Sequence, residues 1–166
     1  MELRRILRHL CTSRRTQRRA FPPRVTDAIA QAVRWAEQPG EVEIRFVVES
    51  ALEPLSVLRR QTPRGRALEL FALLGVWDTA RNDGVLVYVL LADRAVEIVA
   101  DRGVATRVSS ETWASICRRM EASFARHDYQ HGSLAAIRAI VKALGATPSP
   151  DGPQHRSELT DQPLLL

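Results

Sequence analysis

Residues 81–103 read Arg-Asn-Asp-Gly-Val-Leu-Val-Tyr-Val-Leu-Leu-Ala-Asp-Arg-Ala-Val-Glu-Ile-Val-Ala-Asp-Arg-Gly, and this stretch decides the fold. Val85 to Leu91 is a continuous apolar run with β-branched and aromatic members, the pattern of a strand covered on both faces. Ala95 to Ala100 alternates instead, with Val96, Ile98 and Ala100 on one face and Glu97 on the other. Between the runs only Asp93 and Arg94 are strongly polar, which predicts a two-residue turn and an antiparallel hairpin. That turn pairs residue 92 with 95 and sets Asp101 opposite Leu86. Asp83 and Asp101 then share one end of the hairpin, and Asp93 occupies the other.

Moving back from the hairpin, Thr62 and Pro63 suit the cap and first turn of a helix running to about Leu74. It buries Ala67, Leu70, Phe71 and Leu74, and Gly75 stops it. Glu41 to Glu49 alternates, with Val42, Ile44, Phe46 and Val48 inward and Glu41, Glu43 and Arg45 outward, as in a half-exposed strand. A helix from about Arg24 to Gln38 precedes it, after Pro22-Pro23. Beyond the hairpin, Ser109 or Ser110 caps a helix to about Ala125. A loop spans His127 to Gly132, and a last helix runs from Ser133 to Leu144. A strand, a helix and a strand imply a parallel crossover. The order predicts a three-layer α/β/α sandwich around a small mixed β-sheet. Trp35, Trp77 and Trp113 lie on or beside apolar stripes and read as core.

The hairpin also carries a likeness. Asn82-Asp83-Gly84 before an apolar strand, the Asp93-Arg94 turn, and Val96-Glu97-Ile98-Val99-Ala100-Asp101-Arg102-Gly103 together resemble the TPM domain family. That family's pattern is roughly Asn-Asn-Gly-Val-Leu, an Asp-Arg turn and a strand ending Gly-Tyr-Gly. Here only Gly103 of that ending matches, with Asp101 and Arg102 in place of the Gly and the aromatic. The resemblance spans about Pro23 to Gly145 and includes the Asp128-Tyr129 loop. It implies the same three-layer fold. It also implies calcium binding, which some TPM domains are associated with, and an acid phosphatase activity proposed for some. Many relatives are exported or membrane-anchored, and the N-terminus here departs from that.

The 166 residues hold 45% hydrophobic side chains and a net charge of +5, enough for one domain with a sizeable core. Seven arginines and one glutamate in residues 1–20 account for more than the whole net charge, so the remainder is nearly neutral. The chain therefore divides into a basic amphipathic arm at 1–21, a domain at 22–145 and a polar, proline-rich tail at 146–166 with no core of its own. Leu3, Ile6, Leu7 and Leu10 follow helical spacing, with a basic run at Arg14 to Arg19 behind them. Arg4, Arg5, Arg8, Arg14, Arg15, Arg18 and Arg19 are the candidate contacts to an anionic membrane surface or a membrane-associated protein partner. The bland reading is a helix docked on its own domain, followed by a solvated linker. Two cysteines, Cys11 and Cys117, make no disulfide framework. With no apolar run of membrane-spanning length and no signal-peptide core, the expected location is the cytoplasm, peripheral at the inner membrane face.

Asn82, Asp83 and Asp101 form the best chemical constellation, because hard cations such as calcium or magnesium require clustered oxygen donors. By resemblance Asp27 matches an acidic residue near the start of the family's first helix and joins that set, while Asp101 rests on the hairpin geometry alone. The alternative is that Asn82-Asp83-Gly84 merely turns the chain into a strand. His127 and His131 lack the helix and third ligand that zinc needs, and Cys117 reads as a buried structural thiol. Three functions follow in order. The first is a non-enzymatic accessory or interaction module that binds a divalent cation and docks through its arm. The second is a metal-dependent phosphatase using Asp83, Asp101 and Arg102. The third is nucleic-acid binding through the arginine arm.

Overall fold

The computed structural model describes residues 2–146 and 157–166. The elements in chain order are α1 (Glu2–Cys11), α2 (Arg14–Ala20), α3 (Pro23–Glu37), β1 (Glu43–Glu49), α4 (Pro54–Leu58), α5 (Pro63–Leu73), β2 (Gly84–Leu90), β3 (Ala95–Ala100), α6 (Arg102–Ala105), α7 (Ser110–Ala125), α8 (Tyr129–Leu144) and β4 (Leu164–Leu165). They build a mixed four-stranded sheet of order β3-β2-β1-β4, with β2 and β4 parallel to β1 and β3 antiparallel to β2. Strand alternation divides the core. Ile44, Phe46, Val48, Val85, Val87 and Val89 point to a layer made by α3, α7 and α8. Val47, Leu86, Tyr88, Leu90 and Val99 point to the opposite layer, where α5 packs with Leu52 and Val57.

The hairpin register differs from the expected one. Leu90 pairs with Ala95, so residues 91–94 form the connection, and Arg94 closes it in a left-handed backbone (φ 54°). Asp101 therefore sits opposite Gly84, its N–H donating to the Gly84 carbonyl at 2.8 Å, and not opposite Leu86. A shift of two residues preserves the faces, which is why the core assignment survives it.

Two stretches read as lying off the core are part of it. Arg14–Ala20 is helical, and Gln17 is buried with its amide donating to the carbonyls of Val48 (2.7 Å) and Leu166 (2.9 Å). At the other end, Ser157–Leu166 lies against the β1 edge in place of the expected free tail. Leu166 exchanges backbone hydrogen bonds with Val48 and Ser50, and Arg45 donates to the carbonyls of Thr160 and Gln162. Residues 147–156 of the expected tail lie outside the described residues.

This strap corrects the reading of β1 as half-exposed. Glu43, expected to face solvent, is fully buried, and its Oε2 accepts from the Glu158 and Leu159 N–H groups and the Ser157 hydroxyl. Two tryptophans reverse the other way: Trp35 and Trp77 are 39% and 53% exposed, and only Trp113 packs against the core.

Glu37, at the end of α3, is buried beside this strap and accepts from the Ile44 N–H at 2.8 Å. Burial, with the Glu43 and Asp161 charges and against that hydrogen bond, pushes its carboxyl up from 4.5 to about 8. Glu37 is thus protonated in the fold at neutral pH and ionised in the unfolded chain. Folding takes up a proton between those values, so stability is highest below about 4.5 on this account and falls as pH rises through about 8. The midpoint of thermal unfolding is expected to fall across that window and to flatten in Glu37→Gln, which keeps the acceptor for Ile44. An equally steep profile in the variant would assign the pH dependence elsewhere.

Candidate functional site

The hairpin rim is assembled by the two ends of the β2–β3 pair. Asn82 takes a left-handed backbone (φ 55°), and its carbonyl accepts from the Gly103 N–H at 2.8 Å. A Cβ on Gly103 would overlap the Arg81 and Asn82 carbonyl oxygens, so only glycine lets the two segments meet there. Asp83 and Asp101 are consequently neighbours in the register, both buried, at 5% and 8% exposed. Asp83 donates its backbone N–H to the Thr79 hydroxyl oxygen at 3.0 Å, and its Oδ2 accepts from Arg81 Nε at 3.0 Å. Asp101 caps α6, its Oδ1 accepting from the Arg102 N–H at 2.7 Å.

Each carboxylate keeps one buried oxygen, Asp83 Oδ1 and Asp101 Oδ2, without a hydrogen-bond partner among the described residues. Buried carboxylate oxygens are normally satisfied, so a pair of them at one rim is what a cation-binding spot offers. Asn82 adds its exposed side chain. Among the described residues no three of His, Cys, Asp and Glu come together as a metal-holding group, so any cation here relies on these two carboxylates, Asn82 and water. Arg102 stands exposed at the first turn of α6.

Asp27 does not join this rim. The end of α3 is tied to the start of β1 through Glu37 and Ile44, at the same end of the sheet as Gly84. Asp27 lies ten residues earlier, about 15 Å back along the helix axis. There α3 approaches the far end of β1, where Gln17 bonds Val48 and Phe21 packs on Phe46, Phe124 and Tyr129. A helix running antiparallel to its strand separates its own ends by its whole length, which spacing along the chain hides.

At that far end the arm docks. Asp93 accepts from Arg5 Nε (3.0 Å) and Nη2 (2.6 Å) and from His9 Nε2 (3.1 Å), and Arg8 lies 3.5 Å away. His9 Nδ1 accepts from the Leu52 N–H at 3.0 Å, which assigns the buried ring its neutral tautomer with the proton on Nε2. Although burial opposes it, the Arg5 and His9 hydrogen bonds hold the Asp93 carboxyl below its ordinary value. Arg5 and Arg8 therefore serve the docking of α1, whereas Arg4, Arg14, Arg15, Arg18 and Arg19 are exposed.

The docking face is not the leucine stripe. Ile6 and His9 turn inward, and Leu3, Leu7 and Leu10 remain 70%, 51% and 62% exposed. α4, against which α1 packs, adds exposed Leu55 and Leu58. Sequence reasoning found the stripe but not its orientation; the inward histidine between arginines was the available signal.

A family model described as the TPM domain matches residues 16–143. The chain belongs to the TPM domain family. Among solved structures, this TPM domain is similar to the BA42 protein of the psychrophilic bacterium Bizionia argentinensis, at TM-score 0.70 and 25% identity over 86% of this chain and 92% of that one. It also shares its fold with the N-terminal domain of a protein from P. gingivalis, at TM-score 0.55 and 21% identity over 69% of each chain. Comparison with curated proteins finds no significant match. The expected three-layer α/β arrangement is therefore shown both by the sheet and by these likenesses. The TPM match begins at residue 16, so α1 lies ahead of it.

The remaining sequence candidates resolve simply. Cys117 is partly buried on α7, and burial, with Glu97 and Glu121 nearby, pushes its thiol up to about 11, an unreactive setting. His127 and His131 are both exposed; His127 lies in the middle of the α7–α8 connection and His131 in the first turn of α8.

Proposed function

We propose that this TPM domain is a non-enzymatic accessory module that docks on an anionic membrane surface through α1. The observation that carries it is the exposed stripe of Leu3, Leu7 and Leu10 on a helix already fixed to the domain by Arg5 and His9. Exposed leucines in a contiguous patch cost solubility and usually mark an interaction surface. Exposed Arg4, Arg14, Arg15, Arg18 and Arg19 supply the cationic surround that anionic headgroups attract. No described helix is long and apolar enough to cross a membrane, so the contact is interfacial.

Co-sedimentation with phosphatidylcholine vesicles, with and without phosphatidylglycerol, tests it. The chain is expected to bind only the anionic vesicles. Leu7→Asp should abolish binding, and Arg14→Gln with Arg15→Gln should weaken it on the order of tenfold to a hundredfold, at about 1 kcal/mol per arginine. Equal recovery with neutral vesicles, or none with either, overturns the reading. Binding to nucleic acid that Leu7→Asp leaves intact would instead assign the arginines to a polyanion.

A second reading is favoured by the unpartnered oxygens of Asp83 and Asp101: a calcium or magnesium site at the Asn82–Asp83–Asp101 rim. A ligand at a hundred times its dissociation constant stabilises by about 2.7 kcal/mol, which for this size raises the melting midpoint by roughly 5–11 °C. That rise is expected with wild type and not with Asp83→Asn plus Asp101→Asn. No rise with either ion leaves an ordinary turn. Phosphate-ester turnover abolished by Asp83→Asn would extend this reading to catalysis, with Arg102 beside the phosphate.

A further inference from the structure

A cavity of about 360 Å³ opens between the arm, the hairpin connection and the α7–α8 corner, away from both surfaces described above. Its position is informative in itself. It lies outside the carboxyl end of β2, next to β1, and the crevice beyond the carboxyl ends of parallel strands is where open α/β sheets hold ligands. Its volume falls within the range of small-molecule sites. Leu91, Ala92, Phe124, Ala125 and Tyr129 make an apolar wall, the last two aromatics packed at 5.1 Å between ring centroids.

The charged lining is two arginines and one glutamate. Arg8 comes from α1, half-exposed and 3.5 Å from Asp93, and Arg94 comes from the hairpin connection. Arg94 makes no side-chain hydrogen bond or ion pair among the described residues, although the neighbouring Asp93 is saturated by Arg5 and His9. The one carboxylate of the lining, Glu121, is occupied as the acceptor of the Val96 N–H at 2.9 Å. Arg94 and His127, both lining residues, hold left-handed backbones at φ 54° and 62°. Both are turn positions: Arg94 closes the hairpin connection, and His127 follows the C-cap of α7, with the Asp128 N–H donating to the Ser123 carbonyl at 3.1 Å.

We infer that this cavity binds a small amphipathic anion, an apolar body carrying one carboxylate, phosphate or sulfonate, with Arg94 and Arg8 on the charged group and the Phe124–Tyr129 wall on the body. The inference does not rest on membrane docking or on the rim. Because Arg8, Cys11, Thr12 and Thr16 form one wall, the arm completes the site, and α1 thereby acquires a role beyond its exposed face.

The test is a fluorescence titration of the full chain with 8-anilinonaphthalene-1-sulfonate, followed by displacement with octanoate, octyl phosphate and octanol. Wild type should show one saturable site, displaced by both octyl anions at least tenfold more effectively than by octanol. Arg94→Gly should weaken binding tenfold or more while leaving the melting midpoint unchanged or higher, since glycine relieves the left-handed backbone. Ala125→Trp, a substitution at an exposed wall position, should abolish binding by filling the cavity. Leu7→Asp should change nothing here, which separates this site from the membrane-docking face. Displacement by octanol as effective as by octanoate removes the anion requirement. Affinity unchanged in Arg94→Gly and Ala125→Trp, or lost in Leu7→Asp, overturns the assignment.

Discussion

Gly84→Ala is expected to cost more than about 4 kcal/mol, a large effect for a single methyl. Gly84 opens β2 with its Cα against the Val76 carbonyl, and an added Cβ would overlap that oxygen and crowd the Val76 side chain. Neither partner can retreat. Val76 is fully buried and is set by the left-handed turn at Gly75 that stops α5, and Gly84 is paired to Glu43 on one side and bonded to Asp101 on the other. Relief would require α5 or the central strand pair to move. At roughly 2–4 °C per kcal/mol for this size, the midpoint should fall by about 10 °C or more. Thermal melting of the purified variant checks it. A change within about 3 °C would mean that the turn after α5 yields at little cost. Because Gly84 belongs to the rim, the same variant should also lose any cation-dependent stabilisation.

Arg66→Ala is expected to destabilise by about 3–5 kcal/mol, for a different reason. Glu49 ends β1 buried at 7% exposure, and Arg66 from α5 grips it with Nε at 3.1 Å and Nη2 at 3.0 Å. The Tyr88 hydroxyl donates to the same carboxylate at 2.6 Å from the adjacent strand. Burial, then the negative charge of Glu49, holds the Tyr88 hydroxyl protonated far above its ordinary range, so tyrosine remains a donor at every accessible pH. Removing the guanidinium leaves a buried carboxylate with only a neutral donor. Urea unfolding measures the loss. Pairing Arg66→Met with Glu49→Leu should return much of it, since an apolar pair needs no compensation, whereas Tyr88→Phe alone should cost only about 1–2 kcal/mol. A double variant as unstable as Arg66→Ala would show that packing, not the uncompensated charge, dominates here.

Much of the layout was legible in the chain, and the reasons are local. Gly75, Pro63 and the Ser109–Ser110 pair punctuate helices where the structure has them, with the Thr62 and Ser109 side chains accepting from Gly65 and Thr112 as caps. The apolar run of residues 85–91 announced a strand covered on both faces, and β2 is buried throughout. The rim was legible as well, since any hairpin ending near Asp83 and Asp101 brings them to one end. What failed was the exact turn. Asp93 looked like turn polarity, but its carboxylate is spoken for by the arm, and the connection is four residues closed by Arg94.

The larger misreadings concern polar residues whose partners are distant in sequence. Glu43 lies more than a hundred residues from the backbone groups that satisfy it, Gln17 about thirty from Val48, and His9 about forty from Leu52. Nothing in a local window distinguishes such a residue from one facing water. Periodicity and caps, which act within a turn or two, were enough to read β1, β2 and β3, most of the helices, the two-sided burial of the central strand and the family pattern from the chain. They were not enough for β4, which lies in the stretch read as a free tail. Only the tertiary structure decided which stretches cover the outer sheet edge, which face of α1 meets the domain, that Asp27 stands apart from the rim, and that a cavity closes over the end of β2. Each of these depends on what a surface meets after the chain has returned on itself, and a buried charge or an open cavity is defined by that meeting.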